Sequence, residues 1–168
     1  MEQANGIDLS QFRNLLGKCR EHGHSESNTC LECLGALAQA VELYRGDFLA
    51  GFSLRDSVNF DDWQATQTED LRLELAWALE RLVRAHSGRG EFEQAISYAQ
   101  RWLALDPLRE PVHRHLMRLY GWSGQRSAAL RQYRQCAQVL KEELRLPPSD
   151  RTTRLYERLR AEGGQIGR

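Results

Sequence analysis

Between residues 76 and 143 the chain comes into register with itself at an offset of 34 residues, and no other feature constrains the fold as much. At this offset Leu82 lands on Leu116, Gly90 on Gly124, Ala95 on Ala129, Ala99 on Tyr133, Trp102 on Cys136 and Leu105 on Val139. Within each copy the apolar residues recur every three or four positions, the spacing of one helix face. A glycine sits midway, where two helices would turn back on each other, and a small alanine opens the second helix where the first comes nearest. Leu105-Asp106-Pro107 closes the first copy, because a proline there cannot continue a helix. The second copy is less regular, with Arg126 in the place of Phe92 and no closing proline until Pro147.

A helical pair with this period resembles the tetratricopeptide repeat, which hides its apolar face only by stacking on a neighbour. The expected fold is all-α, with tetratricopeptide-like antiparallel hairpins at 76–109 and 110–143 stacked into a short right-handed solenoid. Upstream, Ile7 to Arg20 reads as an amphipathic helix. A polar stretch, Glu21 to Asn28, follows as a loop, and Asn28 or Thr29 is suited to cap a helix running to about Tyr44. Gly46 and Gly51 then break the chain. Phe48, Leu49 and Phe52 are too apolar for water and are expected to pin this connection to the repeats. Asp56 or Ser57 can cap a helix of about 30 residues reaching His86, close to 45 Å long at 1.5 Å per residue, with Thr66 and Thr68 placed to bend it. After Pro147-Pro148, a helix from Thr152 to about Ala161 carries Leu155, Tyr156 and Leu159 and is suited to cover the open end of the stack.

Bulk properties narrow the function. The 168 residues carry 41% hydrophobic and 27% charged side chains, as an ordinary globular chain does. No apolar run approaches the roughly 20 residues that cross a bilayer, and the N-terminus lacks the basic and apolar regions of a signal peptide, so a cytoplasmic location is expected. Net charge is zero, which argues against the chain gripping nucleic acid unaided. Yet residues 109–168 carry 13 basic and 6 acidic side chains against 10 and 17 in residues 1–108. The C-terminal third is therefore cationic, either as a solvated helix surface or as a docking face for an acidic protein or nearby DNA phosphates. No phosphate-binding loop, dinucleotide fingerprint or nucleophile elbow is present, and an enzyme is not expected. His86 occupies a repeat position suited to packing, and His113 and His115 read as a solvated helix end.

Several segments together resemble the bacterial transcriptional activator domain. They are Leu43 to Phe52 (Leu-Tyr-Arg-Gly-Asp-Phe-Leu-Ala-Gly-Phe), Trp63, Arg89 to Ala95, Leu105 to Glu110, Gly124 to Leu130 and Pro148 to Thr152. The resemblance covers Leu9 to Glu162. It implies a tetratricopeptide-like module normally placed after a winged helix-turn-helix DNA-binding domain, as in antibiotic-pathway regulators. No recognition-helix and wing pattern precedes residue 43, so the chain is expected to be a fragment of a longer regulator or a stand-alone effector module. Residues 1–42 are then N-terminal helices with a Cys/His loop, and residues 43–168 hold the repeats and the capping helix. The implied function is non-catalytic protein interaction or dimerisation. The implied partners are the regulator's own DNA-binding domain, RNA polymerase or a second copy in a homodimer, with DNA reached only through an attached domain and no membrane.

Two groups of residues are candidate sites. Cys19, His22, His24, Cys30 and Cys33 combine a Cys-x2-His pair with a Cys-x2-Cys pair, which can supply the tetrahedral thiolate and imidazole set of a structural zinc, with either histidine completing it. Packing is the competing explanation, since Cys19 and Cys33 each fall on an apolar stripe; Cys136 sits at a core position of the second repeat. A rival function follows, a zinc-stabilised or metal-responsive sensor. The second group faces the expected groove: Trp77, Glu80 and Arg84 in the first repeat, and Pro111, Arg114, Arg118 and Trp122 in the second. Aromatic area combined with forked guanidinium donors suits a peptide bearing carboxylates.

Overall fold

The computed structural model describes residues 9–23, 30–44 and 58–162, with the side chains of 58–61 and 64 excluded. Among the described residues there are seven helices and no strand. The connection carrying Gly46, Phe48, Leu49, Gly51 and Phe52, the cap candidates Asn28, Thr29, Asp56 and Ser57, and the metal candidate His24 lie outside the described residues. No described helix is long and apolar enough to cross a membrane. The chain divides into two compact units, Met1–Ala85 and His86–Arg168.

In the first unit, α1 (Leu9–Glu21) and α2 (Leu31–Leu43) pack on each other. Phe12, Leu16 and Cys19 lie at three- and four-residue steps, as do Cys33, Leu34, Leu37, Ala40 and Val41, and all are buried. The pair is antiparallel. The Phe12 ring meets Tyr44 at 6.2 Å between centroids, while Cys19 at the other end of α1 meets Cys33 at the start of α2. α3 (Val58–Gly88) runs unbroken for 31 residues and buries Leu71, Leu75, Ala78, Leu79, Leu82 and Val83. Arg13 of α1 reaches Glu74 of α3 at 3.3 Å. Thr66 does turn its hydroxyl back onto the Asp62 carbonyl, at 2.9 Å, the bond by which threonine relaxes a helix interior.

The second unit holds α4 (Phe92–Leu105), α5 (Glu110–Trp122), α6 (Arg126–Leu144) and α7 (Asp150–Ala161). The 34-residue register is geometric as well as chemical. α3 ends at Gly88 and α5 at Trp122; α4 starts at Phe92 and α6 at Arg126. Both turns have the same hydrogen bonds. Gly90 and Gly124 take φ of 74° and 75°, the left-handed conformation in which a Cβ is crowded by the following carbonyl. The next residue then donates back to the carbonyl five positions earlier, Glu91 to His86 and Gln125 to Tyr120, at 3.0 and 2.8 Å, which closes each helix with a Schellman turn. The core of the unit comes from Ala95, Ala99 and Trp102 of α4, Val112, Leu116 and Met117 of α5, and Ala129, Cys136 and Leu140 of α6.

α7 covers the end of this stack. Leu155 and Leu159 enter a cluster with Met117 and Ala129, and Tyr156 stacks on Tyr133 at 4.2 Å. Close approach explains Gly121 of α5: a Cβ there would sit 2.8 Å from Leu159 Cδ2. It also explains Arg126, which breaks the repeat pattern. Its guanidinium donates to the carbonyls of Leu159, at 2.9 Å, and Arg160, two of the carbonyls that a helix end leaves without an internal partner.

One expectation fails. His113 is not at a solvated helix end but buried, 1% exposed. Its Nε2–H donates to the Pro107 carbonyl at 2.9 Å, and its Nδ1 accepts from the Gln132 amide at 2.8 Å. Residue 113 sits in the first turn of α5, where Pro107 folds the connection over it. Burial holds its pKa below the usual imidazole value, against the Pro107 carbonyl and the Glu110 charge.

Candidate functional site

The end of α1 and the start of α2 meet through imidazole and sulfur. After α1 the chain turns at His22 and Gly23, and α2 opens on Cys30, whose extended backbone makes it the helix cap. Cys30 Sγ accepts the N–H of Cys33 at 3.4 Å, so a thiol occupies the place usually taken by Ser, Thr, Asp or Asn. His22 Nδ1 lies 3.3 Å from Cys33 Sγ and 3.8 Å from Cys30 Sγ. The three ligand atoms fall within 4.8 Å of one another, a group able to hold a metal ion. Cys19, one helical turn before His22, directs its Sγ–H to the Cys33 carbonyl at 3.4 Å. Of the five residues the sequence offered as ligands, His22, Cys30 and Cys33 converge and Cys19 lies beside them. A small pocket lined by Cys19, His22, Glu32 and Cys33, among others, borders the group.

Burial, reinforced by the neighbouring thiols of Cys30 and Cys19, pushes Cys33 up to about 12, and burial also raises Cys19. Thiols in such surroundings are neutral unless a cation balances them. Among the described residues, none of the four cysteines is in a disulfide. Cys136 is fully buried in the second unit, as its repeat position predicts.

The residues chosen for a partner groove divide between the units. In the first, Trp77 is flanked by guanidinium groups of Arg20 and Arg81, 5.0 and 4.8 Å from its ring centre, and Glu80 pairs with Arg84 at 2.6 Å. In the second, Pro111 is exposed in the first turn of α5, and Trp122 is 59% exposed with its ring 6.0 Å from Phe92. Arg114 is engaged by α7: Nη1 donates to Thr152 Oγ1 at 3.0 Å and lies 3.6 Å from Glu110 Oε1. Glu110 in turn accepts from the Ser149 N–H at 2.8 Å and the Ser149 hydroxyl at 2.6 Å. Burial works to raise the Glu110 carboxyl, but hydrogen bonds from Ser149 and Thr152, and the Arg114 charge, leave it below the ordinary carboxylate value.

Arg118 is different. It is half-buried, and burial first, then the charges of Arg151, Arg114 and Arg158, lower its pKa. Among the described residues, no carboxylate lies within ion-pairing distance of Arg118, Arg151, Arg154 or Arg158. Arg151, Arg154 and Arg158 of α7 are not among the groove candidates, although their spacing of three and four residues places them on one helix face. The face of α7 away from Leu155 and Leu159 is a surface of its own. Arg151, Arg154 and Arg158, with Glu157 and Ala161, line a shallow pocket there.

In comparison with known proteins, the family model described as bacterial transcriptional activator domain matches residues 7–160. No curated protein and no solved structure matches the chain.

Proposed function

We propose, on the premise that this chain belongs to the bacterial transcriptional activator domain family, that it is a non-catalytic protein-interaction module of a transcription activator. It works in the cytoplasm beside an attached winged helix-turn-helix DNA-binding domain, which alone contacts DNA. The observation that carries this reading is the arginine group Arg118, Arg151, Arg154 and Arg158, with no carboxylate partner among the described residues. Like charges brought this close cost stability. A partner that presents carboxylates offsets that cost, and paired N–H donors of arginine fit carboxylates in a fixed geometry. RNA polymerase, the regulator's own DNA-binding domain or a second copy can present such a face. Trp122 adds apolar area to the second repeat. A zinc held by the Cys/His group has a structural place in this scheme, ordering the first unit without using the arginine surface.

The test is a tethered reporter. The chain is fused to a DNA-binding domain of known operator, and transcription from that operator is measured in bacterial cells. The fusion is expected to raise transcription, and Arg118→Glu with Arg151→Glu to remove most of the gain at unchanged expression and helicity. Arg131→Glu, a reversal of an exposed arginine on α6, serves as the control. Absence of activation, or equal loss in the control, contradicts the reading.

A further inference from the structure

The Cys/His group of the first unit has no part in an arginine-mediated contact, and its geometry has its own meaning. We propose that Cys19, His22, Cys30 and Cys33 form a tetrahedral zinc site that fastens the end of α1 to the start of α2. Three features support it independently of the interaction role.

The spacing is that of metal ligands. Zinc bonds of about 2.3 Å to sulfur and about 2.0 to 2.1 Å to imidazole nitrogen put neighbouring ligand atoms roughly 3.5 to 3.8 Å apart in a tetrahedron. The Nδ1 to Sγ distances of 3.3 and 3.8 Å fall on either side of the nitrogen–sulfur edge of about 3.5 Å. The backbone also prepares the sulfur for charge. The N–H of Cys33 points at Cys30 Sγ, and Cys30 caps α2, so a thiolate there receives a hydrogen bond and the positive end of the helix dipole. The fourth ligand is within reach. Cys19 is a helical turn from His22, on the buried face of α1, and its thiol already touches the Cys33 backbone. In the proposed site the Cys19 side chain turns away from that carbonyl and joins the three converging ligands as the third sulfur. Three thiolates and one imidazole form a soft, closed set that favours zinc and leaves no open position for chemistry. The small pocket beside Cys19, His22 and Cys33 provides the way in.

Binding releases protons: each cysteine that becomes a thiolate gives its proton to solvent as the sulfur–zinc bond forms, with no change of oxidation state. The site ties the hairpin at the end opposite the Phe12–Tyr44 contact, so α1 and α2 are held at both ends.

The experiment uses the full, untagged chain purified without chelator. Zinc content is expected near one equivalent. After removal of zinc, cobalt(II) is expected to rebind with the visible bands of a tetrahedral ion and a near-ultraviolet sulfur-to-cobalt charge-transfer band. His22→Asn, at an exposed position, and Cys30→Ser are expected to lose metal, Cys19→Ser to weaken the charge-transfer band, and Cys136→Ala to change nothing. Chelation is expected to shift thermal unfolding of the wild type downward and to leave His22→Asn unmoved. Zinc below about a tenth of an equivalent together with an octahedral cobalt spectrum overturns the site. Iron with acid-labile sulfide overturns the choice of ion, and an unchanged charge-transfer band in Cys19→Ser overturns the fourth ligand. None of these readouts depends on the reporter assay, so the two proposals fail separately.

Discussion

Replacing Gln132 with leucine tests whether His113 is a core residue or a surface one. In the wild type the Gln132 amide donates to His113 Nδ1 at 2.8 Å, and the ring is 1% exposed. Leucine removes that donor and leaves a buried lone pair unpaired, which costs about 1 to 3 kcal/mol. The double variant His113→Leu with Gln132→Leu removes both polar partners, and the Pro107 carbonyl released by it belongs to an exposed residue that water can reach. Its loss is therefore expected to be smaller than the sum of the two single losses, a coupling that a double-mutant cycle reads directly. The pH dependence has a definite sign. The folded pKa of His113 is depressed, so near and below the unfolded value of about 6.5 the unfolded chain binds more protons than the folded one. Its contribution to stability is present above that pH and is lost as pH falls toward the folded pKa, with a slope of at most about 1.4 kcal/mol per pH unit. Urea unfolding at pH 7.5, 6.5 and 5.5 measures both effects. The acid-side slope is expected to flatten in every variant that lacks His113. A Gln132→Leu loss under about 0.5 kcal/mol, with no change of slope in His113→Leu, would return His113 to the helix surface and refute the argument.

Three other outcomes are expected. Gly124→Ala forces a Cβ into a left-handed turn at φ 75° and is expected to lower stability by about 1 to 2 kcal/mol, whereas Gly88→Ala, with no atom within 4 Å of the added carbon, is expected to be neutral or slightly stabilising; equal losses in thermal unfolding would count against the turn geometry. Arg126→Met removes both donors to the α7 carbonyls, and hydrogen exchange of amides 152–161 is expected to speed up while that of α4 holds; uniform acceleration would mean that Arg126 does not act through α7. Glu110→Gln tests acid stability: the depressed carboxyl contributes above the unfolded carboxylate value, and that contribution is lost as pH falls through the folded pKa, so the variant is expected to be less stable at neutral pH and to lose less on acidification. Parallel stability curves for wild type and variant between pH 5 and 3 would contradict this.

Much of the second unit was written in local sequence. The period, the glycines, the opening alanines and Pro107 each act within one turn of themselves, through backbone geometry and the three- to four-residue spacing of a helix face, so they are readable without coordinates. The same holds for Cys-x2-Cys and Cys-x2-His, whose spacing is a statement about ligand reach. The partners that arrive from far along the chain were not readable. Arg126 looked like a defect in the repeat until Leu159 and Arg160 appeared beside it, 33 and 34 residues away. Arg114 looked free for a ligand, yet Thr152 takes its guanidinium. His113 looked solvated, yet Pro107 and Gln132 enclose it. Nor did the spacing choose between histidines, or reveal that a cysteine caps α2. The helices, their turns and the family are legible in residue order alone, because they depend on short-range sterics and periodic burial. Which charges are paired inside the molecule and which remain for a partner emerges only in the folded chain, because it depends on the far element that packs against each side chain.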